Sequence, residues 1–383
     1  MTFFEYLALI LLAGSVVYCV LALRGAARYC RSGAPHLKTL PPVSVLRPLH
    51  GAADDTEANL RSIFEQRYPL FEVLLSVHDI TDPSVAVARR VMAEYPRIES
   101  RLIVAGPSPL PNAKVWSLRA LAPAARYEAL VMSDSDIGLE PDALETIASE
   151  LEQPNVALVT CPYRAVPGQG FWPLIEAIGL NTEFFGGLIT ARLLNGMDFA
   201  IGCTIATRKA DLDAIGGLEH LQLFLAEDFV MGNLMNQRGR TVILSRSVIA
   251  HAIGGHSFAS SWRHRLRWSK STRRSRPWGY VGELFTRTYA ISLLLFLIDH
   301  RLWPVSLAAV GLRLAVDWHI GVRTLGDPLV RRYWWLLPVE GVASFANWVL
   351  GFFGKTIIWR GRRLTMARDG SFEGVESPAE SSS

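Results

Sequence analysis

The sequence predicts an α/β fold with a mostly parallel sheet, joined to membrane helices on both sides. Three observations predict it. Short apolar runs alternate with amphipathic stretches between residues 43 and 160, an uncharged apolar run stands near the N-terminus, and Trp-rich apolar segments recur beyond residue 285.

Tyr6 to Leu23 is 18 residues without a charge, enough for one spanning helix with its flanks. It lacks a basic segment before it and a small-residue cleavage site after it, so residues 1–32 read as a retained anchor rather than a signal peptide. Arg24, Arg28, Arg31 and Lys38 follow with no acid among them, which places the next domain in the cytoplasm. After a Pro-containing linker, the strand candidates are Val43–Arg47, Val73–Val77, Leu102–Ala105, Ala129–Ser133 and Val156–Thr160. Between them, Val85, Ala88, Val91, Met92 and Tyr95 share one helical face. This βαβ alternation argues for a parallel sheet covered by helices, read here as one domain over 40–256.

Residues 257–287 form a basic, Trp-rich segment that reads as an interfacial helix, and 288–360 supply the C-terminal membrane helices. Segments 289–298 and 302–316 suggest a membrane hairpin. Segment 333–353 contains Pro338, Glu340 and Asn347 and has basic flanks, so it spans, re-enters or lies at the interface. The tail over 361–383 is polar, and after Asp369 it reads as disordered.

Mean hydropathy is positive, and half of the 383 residues are hydrophobic. The four cysteines form no close pair, which excludes a disulfide framework and a zinc spacing. Net charge is only +4, with the basic residues beside apolar segments. That points to anionic lipid or a phosphorylated ligand and not to nucleic acid. No P-loop, dinucleotide glycine motif, HExxH or serine elbow occurs.

Four constellations carry the chemistry. Asp134-Ser135-Asp136 follows the strand candidate Ala129–Ser133, where an α/β sheet presents its ligand site. Such acids either solvate a turn or hold a hard cation against a diphosphate. Glu227-Asp228 is either a charge pair at a helix N-terminus or the seat of a general base. Asp79, also directly after a strand, is a turn acid or a hydrogen-bond acceptor for a base or ribose. Seven Arg or Lys lie between residues 263 and 276, interleaved with Trp262, Trp268 and Trp278. They suit a lipid surface, and Arg267 also suits a phosphate fork. His251 and His256, five apart in "HAIGGH", read as part of a polar loop, with a metal ligand as the sharper alternative.

The ordered set "SVHDITDP", "PNAKVWSL", "MSDSDIGL", "GCTIATRKADLDAIGGL", "LAEDFVMG" and "HRLRW" resembles the ceramide-glucosyltransferase-type branch of the inverting family 2/21 glycosyltransferases, over about residues 40 to 280. The resemblance implies a GT-A fold, a Rossmann-like mostly parallel sheet, and a UDP-sugar donor. It implies that Asp228 is the catalytic base, and that Mg²⁺ or Mn²⁺ binds at Asp134 and Asp136. The implied UDP-sugar contacts are Asp79, Lys114, Asp134, Glu227, Arg267 and Trp268. The first position of the motif ending in Arg267-Trp268 is His264, a departure from the family's Gln or Arg. With "PVSVLRPLHG", the chain looks most similar to bacterial members associated with hopanoid biosynthesis. That implies an inner-membrane, multi-pass enzyme moving N-acetylglucosamine to bacteriohopanetetrol. The alternatives are glucosyl transfer to ceramide or another lipid and, in a different class, a non-enzymatic membrane scaffold.

Overall fold

The computed structural model describes residues 2–31, 33, 37, 39–255, 257–359 and 362–373. The chain divides into two units that are not contiguous in sequence. A helical unit takes residues 1–32, 164–196 and 253–363, and a sheet unit takes 33–163, 197–252 and 364–383.

In the sheet unit, ten strand segments follow in order: β1 (Val43–Pro48), β2 (Phe71–Val77), β3 (Glu99–Val104), β4 (Ala129–Ser133), β5 (Ile137–Gly138), β6 (Val156–Thr160), β7 (Tyr163–Val166, where the chain leaves this unit), β8 (Thr204–Arg208), β9 (Thr241–Leu244) and β10 (Ile249–Ala252). Seven of them make one sheet in the order β3-β2-β1-β4-β8-β6-β9. Every neighbouring pair is parallel except those made by β8, which runs antiparallel to β4 and β6. The fold is therefore α/β with a parallel-dominated central sheet.

β2, β4 and β6 are buried along their whole length, as strands covered on both faces must be; β4 and β6 read as apolar runs closed by Ser133 and Thr160, while β2 also buries Glu72 and Ser76. β3 is one of the two edge strands of this sheet, opposite β9, and is largely exposed. It begins three residues before the predicted Leu102, because Glu99 and Arg101 carry no apolar signal. The strand order reverses between β1 and β4, so the carboxyl end of β4 opens at a topological switch point. Buried Arg47 on β1 fixes that end. Its guanidinium donates to Ser133 Oγ (3.0 Å), Ile137 O (2.7 Å) and Asn59 O (2.8 Å).

The expected disordered tail is partly structured. Ala367 N donates to Ser371 O, Glu373 N donates to Thr365 O, and Phe372 is buried. Residues 374–383 lie outside the described residues.

In the helical unit, the helix Phe3–Arg31 exposes Phe3, Phe4, Ile10 and Val17, the apolar face a lipid-contacting helix requires. It and His300–Thr324 are, among the described residues, the two helices long and apolar enough to cross a membrane. Pro277–Thr286 and Thr288–Ile298 add a third span if the pair, bent by 60°, counts as one. Thus 289–298 is too short to cross alone, and the expected simple hairpin becomes a bent element followed by Trp303–Trp318. Arg313, buried in this bundle, is paired with Asp317 at 2.9 Å, and Asp317 accepts from Tyr289 OH at 2.8 Å, as desolvated charge demands.

The basic segment is a helix, Phe258–Ser275, but its charge is not simply turned to solvent or lipid. Arg265 pairs with buried Glu340 (2.5 Å), and His264 Nδ1 meets buried Glu176 (2.8 Å). Lys270 donates to Thr356 O, and Arg273 donates to Phe352 O and Gly354 O. These carbonyls lie just past the end of the helix Leu337–Gly351, where cations offset the helix dipole.

Candidate active site

Asp134 follows β4 directly, and its backbone N–H still donates to Cys203 O (3.0 Å) at the head of β8. Antiparallel β8 thereby brings Gly202 and Cys203 to the same sheet edge as the carboxyl end of β4. Lys114 arrives from the first turn of the helix Ala113–Leu121, which Asn112 caps by accepting from Val115 N (3.2 Å). Glu227 and Asp228 open the helix Glu227–Gln237, where its N-terminal dipole favours carboxylates.

Lys114 joins these elements. Its Nζ lies 2.8 Å from Asp134 Oδ1 and 3.2 Å from Glu227 Oε1, and donates to Gly202 O at 2.8 Å. Asn112 Nδ2 donates to Glu227 Oε2 (3.0 Å) and to Phe224 O (2.9 Å), which fixes the second face of that carboxylate. Asp228 packs against Gly202 so closely that a Cβ there would fall 2.8 Å from its Oδ2. Asp136 has a different partner. β5 pairs antiparallel with β10, and this sets His251 Nε2 3.4 Å from Asp136 Oδ2.

The acids are pushed apart electrostatically. Burial raises the Asp134 carboxyl to about 6, with the Lys114 ammonium opposing and the Asp136 charge adding. Asp228 rises further, to about 7, from burial and then from the adjacent Glu227 charge. Burial works against ionised Lys114 too, but Asp134 and Glu227 outweigh it and hold the amine well above its ordinary value. Asp136 is lowered: burial works against its charge, but the His251 hydrogen bond and charge, with the Arg47 guanidinium, together outweigh it. Neighbouring carboxyls with separated affinities for a proton are what acid–base work at neutral pH requires.

Of the residues singled out in the sequence, the structure brings together Lys114, Asp134, Glu227 and Asp228, with Asp136 on the same turn. Asp79 stands beyond the carboxyl end of β2, exposed, with Oδ1 accepting from Thr81 N and Oγ1 (both 2.8 Å). Arg267 and Trp268 lie on the helix Phe258–Ser275 of the helical unit, and the Trp268 ring packs 4.6 Å from His264. His251 belongs to β10 and not to the expected loop; β10 lies between β7 and the two-residue β5, and β5 leaves no sequence signal. His256 lies outside the described residues.

The sequence reading missed Asn112, Gly202 and Arg47 as supports of the site, and it weighed His251 only as a metal ligand or part of a polar loop. Asn112 alone left a usable signal, an Asn directly before a helical pattern.

The model of glycosyl transferase family 21 matches residues 7–372. The chain belongs to glycosyl transferase family 21. Two curated relatives in Caenorhabditis elegans are ceramide glucosyltransferase 1, 30% identical over 234 residues, and ceramide glucosyltransferase 3, 27% identical over 235. Each alignment covers 61% of this family 21 chain and 50% of the relative, so the chain spans about half the length of these relatives. Among solved structures, the mannosyltransferase PcManGT from Pyrobaculum calidifontis, in complex with GDP-Man and Mn2+, is similar with a TM-score of 0.55 at 18% identity. That similarity covers 91% of this chain and 99% of the mannosyltransferase, and shows a shared fold.

Proposed function

We propose that this family 21 chain is a membrane-bound inverting glycosyltransferase that moves a sugar from a UDP-sugar to the hydroxyl of a lipid. The observation that carries the reading is the convergence on Lys114. One ammonium joins the post-strand acid Asp134 to Glu227, beside an Asp228 whose carboxyl is tuned to about 7. In this reading Asp228 accepts the proton of the acceptor hydroxyl as its oxygen attacks the anomeric carbon from the face opposite UDP. The C–O bond to the diphosphate breaks with inversion, and the electron pair leaves on UDP. Lys114 and, from the motif resemblance, Arg267 meet the charge that builds on the diphosphate. Asp79 and Trp268 are assigned to donor binding on the same resemblance, with Glu227 beside them.

The carboxylates fit a divalent cation. Asp136 is half exposed on a turn pinned by Arg47, and its oxygens are the hard donors that Mg²⁺ or Mn²⁺ prefers. No three His, Cys, Asp or Glu side chains cluster as a metal cage among the described residues. Two carboxylates completed by diphosphate and water suit these ions, which keep several non-protein ligands. When bound, the ion would supply charge neutralisation on the leaving diphosphate.

For the substrates, we assign N-acetylglucosamine as the sugar and bacteriohopanetetrol as the acceptor, on the resemblance to hopanoid-associated members. The apolar helices of the helical unit support an acceptor held in lipid, in a bacterial inner membrane with the sheet unit cytoplasmic. The names of the curated relatives favour a second reading, glucosyl transfer to ceramide. Purified chain in lipid nanodiscs, offered UDP-N-acetylglucosamine and UDP-glucose with each acceptor, separates the two by mass spectrometry. We expect the β-linked N-acetylglucosaminyl hopanoid. Glucosylceramide with no hopanoid product overturns the assignment of substrates. Asp228→Asn is expected to lower kcat about 10²–10⁴-fold with UDP binding retained, the usual loss for a general base.

A further inference from the structure

Residues 364–373 return to the sheet unit as a small hairpin. Its own bonds are Ala367 N to Ser371 O and Glu373 N to Thr365 O, both 2.9 Å, with Gly370 at φ +87° making the reversal. Asp369 Oδ1 accepts from Ser371 N and Oγ, which locks the turn. The outer strand of the hairpin then pairs with the segment that leads into the acids. Phe372 N donates to Leu223 O (3.0 Å), and Ser371 bridges antiparallel to Phe224. Met366 and Phe372 are 1% and 5% exposed, so the hairpin is anchored by burial and not only by backbone bonds.

Leu223–Phe224 connects two helices, and three residues later comes Glu227. Phe224 O and Glu227 Oε2 share one donor group, the Asn112 amide, while Asn112 Oδ1 holds Val115 N. Both amide hydrogens are therefore spent. If Phe224 O shifts, Asn112 must turn to follow it, and the Glu227 bond is strained or lost. Glu227 is in turn a partner of Lys114, which holds Asp134. The hairpin acts on the site through this chain of saturated bonds, without touching substrate.

We propose that the hairpin 364–373 is a clamp that sets the acid-bearing segment, with Phe372 and Asn112 as positioning residues for the transfer. This rests on the proposed glycosyl transfer for its kinetic part only. The full chain in nanodiscs is compared with Phe372→Ala, Phe372→Leu and Val91→Ala. Val91 is a fully buried residue of the helix Ser84–Glu94, so Val91→Ala serves as a destabilised control without a link to the acids.

Hydrogen exchange over residues 223–230 is read first, and it needs no turnover. Phe372→Ala should speed exchange there about tenfold, as expected for a locally opened segment, and Phe372→Leu should restore most of the protection. In transfer assays Phe372→Ala should lower kcat roughly tenfold with the donor KM within about twofold, the signature of misplacement rather than lost binding. The control should lower Tm without that split. Unchanged exchange in Phe372→Ala, or an equal kcat loss in Val91→Ala, overturns the clamp. Absence of any transfer by the unmodified chain defeats the functional reading instead, and exchange alone then decides the clamp.

Discussion

Gly202→Ala is the sharpest probe of the site, because the position carries two contacts that can be moved separately. An added Cβ would stand 2.8 Å from Asp228 Oδ2, 3.1 Å from its Cγ and 3.3 Å from its Cβ. An ordinary contact begins near 3.4 Å. The carboxylate must therefore retreat by 3.4 − 2.8, about 0.6 Å, by rotating or by dragging the first turn of its helix. The Gly202 carbonyl, which accepts from Lys114, lies on the backbone and need not move. A misplacement of about 1 Å costs on the order of 10²-fold in rate, so about 0.6 Å should cost roughly tenfold in kcat. Donor affinity, which the proposed reading assigns to Asp134 and its neighbours, should stay within about twofold. Steady-state transfer kinetics and calorimetric titration with UDP and Mn²⁺ read the two quantities. A kcat unchanged within twofold would refute the placement of Asp228 as base. Loss of UDP affinity at constant kcat would show that Gly202 acts through Lys114 instead.

Lys114→Met removes the cation between Asp134 and Glu227, so two carboxylates are left facing each other with only partial access to water. Stability should fall by about 1–3 kcal/mol in chemical denaturation, and Mg²⁺ should restore part of it, which a purely structural lysine would not allow. The pH dependence follows from Asp228. As a base it must be ionised, so kcat/KM should rise with pH through a limb at about 7, and a cation at Asp134 should draw that limb downward. The sign for stability is the reverse. Between the ordinary 3.8 and about 7 the folded chain holds a proton that the unfolded chain has released, so this group destabilises the fold as pH rises across that window. Asp228→Asn should abolish that slope in thermal melts taken across the window. His251→Ala should weaken Mn²⁺-dependent UDP binding about tenfold by freeing Asp136 to rotate, and an unchanged affinity would remove His251 from the site.

The sequence by itself determined the type of fold and most of the acids. Parallel strands buried on both faces leave uninterrupted apolar runs, so Ala129–Ser133 and Val156–Thr160 were legible to the residue, and the acid pair after β4 followed from where such strands end. Long uncharged segments are similarly local, which is why the first helix long and apolar enough to cross a membrane could be read off directly. What only the tertiary structure decided is everything that depends on neighbours distant in sequence. Antiparallel β8 carries Gly202 to the carboxyl end of β4, and nothing in "TIATR" announces its direction. Two-residue β5 is too short to show a period, yet it is the strand that brings His251 to Asp136. The basic helix looked lipid-bound because charge is visible in sequence and its partners are not. Glu340, Glu176 and three carbonyls beyond residue 351 take up that charge only once the chain has folded. The polar C-terminal stretch looked disordered for the same reason: its hairpin is held by two buried side chains and a strand pairing 147 residues away in the sequence, between Ser371 and Phe224 (371 − 224), beyond the reach of any local pattern.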